Sequence, residues 1–229
     1  MPRVIVFDLM GTLLDLRAMD TLFERFFGDA NVRKEWFTQT LLLAMATMLT
    51  DTYEDFRVQA DTGLEMTARR YKVSMLGEEK NLILGTLRKL RAYPDVLANL
   101  QKMRDAGLKL AILTNSPLEA AEAQLNFAGL TGHFDQVIST DEISRFKPDP
   151  EVYRLAAKRL GVEIGELWMV TAHDWDVTGA LRAGCAAAFV ARPGQVLNPF
   201  GPQPDVKGSD LADITEKILA VELEQDNTN

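Results

Sequence analysis

Asp8 ends the run "VIVFD", in which four apolar residues precede a single carboxylate, and "LMGT" follows at once. An ionised carboxylate at the end of a buried strand is costly unless it is partnered or at work. Three other stretches supply what a working carboxylate needs. "LAILTNSP" ends in Thr114 and Asn115, "ISRFKPDPEVY" carries Lys147 and Tyr153, and "VTAHDWDVTGALRAG" carries Thr171, His173, Trp175 and Asp176. A lysine keeps a carboxylate nucleophile ionised and oriented. Hydroxyl and amide groups such as Thr12, Thr114 and Asn115 can hold a substrate's own carboxylate, and a second acid, Asp176, can activate water in a later step. Each residue also has a plainer use. Asp8, Thr114 and Asn115 can cap turns or helices, Lys147 can sit in a solvated loop, and Asp176 can favour a helix N-terminus. His173 can be a hydrogen-bonding loop histidine and Trp175 a core residue. Their joint occurrence, in order and after apolar runs, favours chemistry.

The elements that must position these residues alternate. Apolar runs predict strands at Val4–Phe7, Leu108–Leu113, Gln136–Ser139, Leu167–Thr171 and Ala187–Ala191. Helical periodicity predicts helices at Asp95–Ala106, Leu118–Ala128, Pro150–Leu160 and Asp174–Ala183, with a last one from about Ser209 to Leu223. Such alternation implies an α/β fold, a Rossmann-like parallel sheet with helices on both faces. Residues 16–92 break the rhythm with helical pattern throughout. We therefore expect a core of residues 1–15 and 93–229, with residues 16–92 a helical cap inserted after the first strand. Ligands in open α/β folds sit at the carboxyl ends of strands, so a cap placed there covers the site.

Bulk properties exclude several functions. The 229 residues carry a net charge of −8, which opposes attraction to nucleic acid and to anionic membranes. The longest apolar stretch, Leu41 to Leu49, is far short of a bilayer span. A lone cysteine, Cys185, builds no disulfide framework, and the amino terminus enters the first strand without a charged-then-apolar leader. A cytoplasmic protein acting on a small molecule is expected.

The four stretches "FDLMGTL", "LTNSP", "KPDPEVY" and "VTAHDWDVTGALRAG" resemble, in order, the motifs of the haloacid dehalogenase superfamily, and within it the L-2-haloacid dehalogenases. The resemblance covers nearly the whole chain. It implies that Asp8 is the nucleophile, assisted by Lys147, Asp176, Thr12, Thr171 and His173. It implies that Met10, Thr114, Asn115 and Tyr153 surround the substrate, with Trp175, Phe37, Leu41 and Phe56 in the apolar wall. Homodimers are common among such relatives.

Two departures from superfamily patterns bear on chemistry. Phosphatases of the superfamily place a second aspartate two residues after the nucleophile, where this chain has Met10. They hold Mg²⁺ with the nucleophile, a backbone carbonyl and a fourth-motif acid, whose place is taken by Ala172. Asp174 is the nearby acid that would restore such a site in another register. Departing halide needs no proton and a monocarboxylate needs no metal, so the losses fit dehalogenation without a metal or other cofactor. The second departure is Phe37 in "KEWFTQTLLL", where dehalogenases carry a halide-receiving arginine; Thr38 also stands where glutamine is usual. His173, where well-known relatives have asparagine, can partly compensate if protonated. A metal-independent hydrolase of a non-halogenated substrate, a phosphatase and a non-catalytic binding protein are the alternative readings.

Overall fold

The computed structural model describes residues 4–226. Six parallel strands form one sheet: β1 (Val4–Phe7), β2 (Lys109–Thr114), β3 (Gln136–Ser139), β4 (Leu167–Thr171), β5 (Ala186–Val190) and β6 (Val206–Gly208). Their spatial order is β3-β2-β1-β4-β5-β6. The order reverses at β1, which pairs with β2 on one side and β4 on the other, so the crevice above the carboxyl ends of β1 and β4 is the topological switch point.

Side-chain alternation supplies both faces of the sheet. Ile5, Phe7, Leu110, Ile112, Trp168 and Val170 feed one apolar core. Val4, Val6, Ala111, Leu113, Leu167 and Met169 feed the other. This period of two, buried on both sides, is why these strands read as continuous apolar runs.

The helices before β2 are α1 (Asp20–Phe27), α2 (Val32–Leu49), α3 (Phe56–Arg70), α4 (Gly77–Thr86) and α5 (Val96–Asp105). The helical pattern expected over residues 16–92 forms as separate helices. Asp55 starts α3 by accepting hydrogen bonds from the Arg57 and Val58 amides, and the chain breaks again after α3. Helices α2 and α3 pack closely: Trp36 Nε1 donates to the Ala60 carbonyl at 2.9 Å, and a Cβ at Gly63 would lie 2.7 Å from Thr40 Oγ1. Leu14 bridges Ala92, so this helical segment leaves and rejoins the sheet region at neighbouring points.

The remaining helices are α6 (Leu118–Phe127), α7 (Pro150–Leu160), α8 (Asp174–Ala183) and α9 (Leu211–Asp226). Strands β2 and β5 lie one residue away from the expected spans, and β6 was not expected. Helix α9 starts at Leu211 rather than Ser209, because Asp95 accepts from the Leu211 amide and Asp210 from the Asp213 amide. Among the described residues no helix is long and apolar enough to cross a membrane.

Candidate active site

Asp8 is the first residue beyond β1, and its amide donates to the Val170 carbonyl of β4. The chain then turns through Gly11 at φ +82°. A side chain there would be strained by that φ, and its Cβ would press on the His173 ring at 3.1 Å. The turn brings Thr12 back beneath Asp8. Thr12 Oγ1 accepts from the Ala172 amide at 2.9 Å and so donates its proton to Asp8 Oδ2 at 2.6 Å.

Lys147 is buried and bridges two acids. Its Nζ lies 2.7 Å from Asp8 Oδ1 and 2.9 Å from Asp176 Oδ2. Its backbone amide is fixed by Asn115 Oδ1 at 2.8 Å, which also accepts from Thr140 Oγ1, so the Asn115 amide group remains as a donor. Asp176 is fully buried, and Tyr153 donates to its Oδ1 at 2.6 Å. Helix α8 comes this close to Tyr153 and Pro148 because residue 179 is glycine; a Cβ there would lie 2.5 Å from the tyrosine oxygen.

His173 precedes α8. Its Nε2 lies 2.9 Å from the Met10 carbonyl and 3.5 Å from Asp8 Oδ2. The ring stacks on Trp175 at 5.0 Å and faces Phe37 at 6.2 Å.

Electrostatics follow from burial and pairing. Burial works to raise the Asp8 carboxyl, but the charges of Lys147 and His173, with hydrogen bonds from Lys147 and Thr12, hold it below the usual carboxylate range. Burial works against the Lys147 ammonium, yet Asp176 and Asp8 keep it above its ordinary value. Burial and the neighbouring Asp176 push the Tyr153 hydroxyl well up, so it stays a donor. The site therefore holds an ionised carboxylate dressed by donors on both oxygens, suited to attack a carbon and then to carry an ester.

Structure and expectation differ for several residues. Tyr153 was expected at the substrate; it is fully buried and its hydroxyl positions Asp176 instead. Thr114 Oγ1 accepts from the Ser116 amide and Thr171 Oγ1 from the His173 amide, so both oxygens serve turns at strand ends. Trp175, Leu41 and Phe56 do not share one wall. Phe37, Leu41, His173 and Trp175 line a cavity of about 460 Å³ on the Gly11 side. Met10 and Phe56 line a larger one of about 780 Å³, with Ser116. The turn carrying Met10 and Gly11 runs between the two.

A divalent cation does not fit here. The Asp8 oxygens accept from Lys147 and Thr12, and the Met10 carbonyl is taken by the imidazole. Residue 172 is a buried alanine, and the described residues hold no cluster of three metal-ligating side chains. Asp174 lines the cavity on the Gly11 side.

Arg192 and Asp95 escaped the sequence reading. Arg192 Nε donates to the Thr12 carbonyl at 2.9 Å, its Nη1 binds both Asp95 oxygens, and its guanidinium lies 4.0 Å from the Tyr93 ring centre. It follows β5, so asking what stands after every strand would have found it.

A family model for haloacid dehalogenase-like hydrolases matches residues 2–184. An (S)-2-haloacid dehalogenase from Pseudomonas sp. (strain CBS-3) is 33% identical over 223 residues, 95% of this chain and 96% of its own. Among solved structures, an L-2-haloacid dehalogenase superposes with a TM-score of 0.91 at 25% identity, covering 95% of this chain and 99% of that one. Another, from Xanthobacter autotrophicus with chloropropionic acid covalently bound, gives 0.89 at 26% identity over 95% and 98% of the two chains.

Proposed function

The chain belongs to the haloacid dehalogenase-like hydrolases, and on that premise we propose that it hydrolyses short (S)-2-haloalkanoic acids to 2-hydroxy acids. The observation that carries this reading is the Asp8–Lys147–Asp176 triad, with Met10 rather than an aspartate two residues after the nucleophile. Asp8 attacks the carbon bearing the halogen, forming a C–O bond as the C–halogen bond breaks and halide leaves with the electron pair. Attack from the side opposite the halogen inverts that carbon. Water then attacks the Asp8 carbonyl carbon, and the C–O bond that breaks is the acyl one, so the inverted configuration persists. Lys147 and Thr12 stabilise the developing oxyanion, Asp176 orients the water and takes its proton, and the Asn115 amide holds the substrate carboxylate. Residues 16–92 act as the cap. The single cysteine, Cys185, fits a reducing compartment, and we propose a cytoplasmic homodimer.

Halide release from 2-chloropropionate should persist in excess EDTA and should not rise with Mg²⁺. Robust Mg²⁺-dependent hydrolysis of p-nitrophenyl phosphate would overturn both the metal-free site and the dehalogenase reading.

Phe37 favours a second reading, a metal-independent hydrolase of a non-halogenated substrate. Phe37→Arg discriminates. A guanidinium in the Phe37 cavity adds a charge-assisted hydrogen bond to the leaving halide, about 1–3 kcal/mol, or about one to two decades in rate. Asp174 lines the same cavity and is available as its partner. Chloride release should rise, and thermal unfolding should show a folded variant. No release from either protein would favour the second reading. Fast release by the wild type that Phe37→Arg slows would mean that halide is received elsewhere.

A further inference from the structure

The imidazole of His173 is held more tightly than a loop histidine needs to be. Its Nε2 meets the Met10 carbonyl at 2.9 Å, and a carbonyl oxygen can only accept, so Nε2 carries the hydrogen. That fixes the other nitrogen: Nδ1 is a lone pair in the neutral ring and an N–H donor in the imidazolium. Among the described residues Nδ1 has no hydrogen-bond partner, while His173 lines the cavity of about 460 Å³ with Phe37 and Trp175. The two aromatic rings lie on it at 6.2 and 5.0 Å, and an imidazolium is attracted to aromatic faces. Gly11 lets the ring sit against the nucleophile's turn.

We propose that His173 Nδ1 is the donor that receives the departing halide, seated between Phe37 and Trp175. The proposal rests on the dehalogenase reading. It explains Phe37: an arginine there would set a second cation against the imidazolium, whereas a phenyl ring supports it. The halide site is then switched by protonation, competent when His173 is charged and weak when it is neutral.

Other charges surround the ring. Asp8 Oδ2 lies 3.5 Å from Nε2, and Lys147 Nζ lies 5.8 Å from the centre of the Trp175 ring. Asp174 and Asp176 stand in the first turn of α8, which His173 precedes, and Arg17, Arg33 and Lys34 line the same cavity. Arg17 and Arg33 are paired with Asp15 and Asp20. Arginine and lysine keep their charge between pH 5.5 and 8.5, so they would bind halide equally across that range. Among the described residues lining the cavity, His173 is the one imidazole.

The test titrates sodium bromide into the wild type at constant ionic strength while ¹⁵N spectra follow the ring nitrogens of the two histidines, His133 and His173, assigned with His173→Asn. Bromide should move Nδ1 of His173 saturably at pH 5.5. Its affinity should fall about tenfold or more by pH 8.5, because a neutral ring presents a lone pair at Nδ1 where the imidazolium presents a donor. His173→Asn should abolish this pH dependence. Phe37→Arg should help chloride release more at pH 8.5 than at pH 5.5, because its charge does not titrate. An Nδ1 indifferent to bromide at every pH, or bromide binding in His173→Asn equal to wild type, overturns the proposal. Bromide binding at His173 without turnover of 2-chloropropionate upholds the halide seat and sinks the dehalogenase reading. Turnover with a silent His173 does the reverse.

Discussion

Asp8→Asn is expected to lower turnover by about 10⁴-fold or more, the scale on which loss of a nucleophile is felt, in a protein that remains folded. The loss follows from charge. An amide neither attacks carbon nor leaves as a carboxylate when an ester is hydrolysed. Survival of the fold follows from the partners. Lys147 keeps its contact to Asp176 at 2.9 Å, and Thr12 can turn its hydroxyl from donor to acceptor toward an amide nitrogen. No charge is left buried alone, so the stability cost should be that of an altered hydrogen bond, about 1–2 kcal/mol. The covalent route has its own signature. In a single turnover in H₂¹⁸O, label should enter Asp8 and not the first product molecule, because water attacks the aspartyl carbon. Label found directly in that product would show water attacking the substrate, and Asp8 would then be a base rather than a nucleophile.

Much of this site was legible before any coordinates, for a physical reason. Parallel strands buried on both faces must be apolar along their length, so a polar residue marks where each strand ends. Asp8, Thr114 and Asn115, and Thr171 to Asp176 were visible on that rule. In a parallel sheet such ends share one edge, which is why residues 139 positions apart meet at 2.7 Å. Strand β6 was missed because it has three residues with an exposed lysine in the middle, too short for an alternating pattern. What each side chain faces was less legible. Tyr153 stands on α7 six residues after Lys147, and nothing in its spacing says that it turns beneath Asp176 rather than toward a substrate. Nor does the sequence reveal that the Met10–Gly11 turn parts two cavities. That division depends on the approach of His173 to Gly11, a tertiary contact.

Lys147→Met tests whether the triad is organised by its cation. Methionine keeps most of the stem's volume and removes the ammonium that joins two buried carboxylates. Breaking a buried ion pair from one side costs about 3–5 kcal/mol, because the remaining charge has lost its compensation. Two acids would here be left facing one another. Turnover should fall by about 10³-fold or more, since both the ionised nucleophile and the oxyanion lose their partner. The pH dependence separates this account from simple damage. In the wild type the Asp8 carboxyl lies below its ordinary value near 3.8, so its contribution to stability is present above that value and is lost as pH falls through the lower folded one. Lys147 lies above its ordinary 10.5, so its contribution is present below that value and is lost only in stronger alkali. Between those values neither group gives stability a slope. Without Lys147, burial acts on Asp8 against weaker opposition, and the native state holds a proton that the unfolded chain releases. Denaturant unfolding of the variant should then show stability decreasing as pH rises from about 4 to 8, while residual turnover increases as Asp8 ionises. These slopes run in opposite directions. A variant whose rate and stability rise and fall together across that range would show that Lys147 is packing, and that something else keeps Asp8 charged.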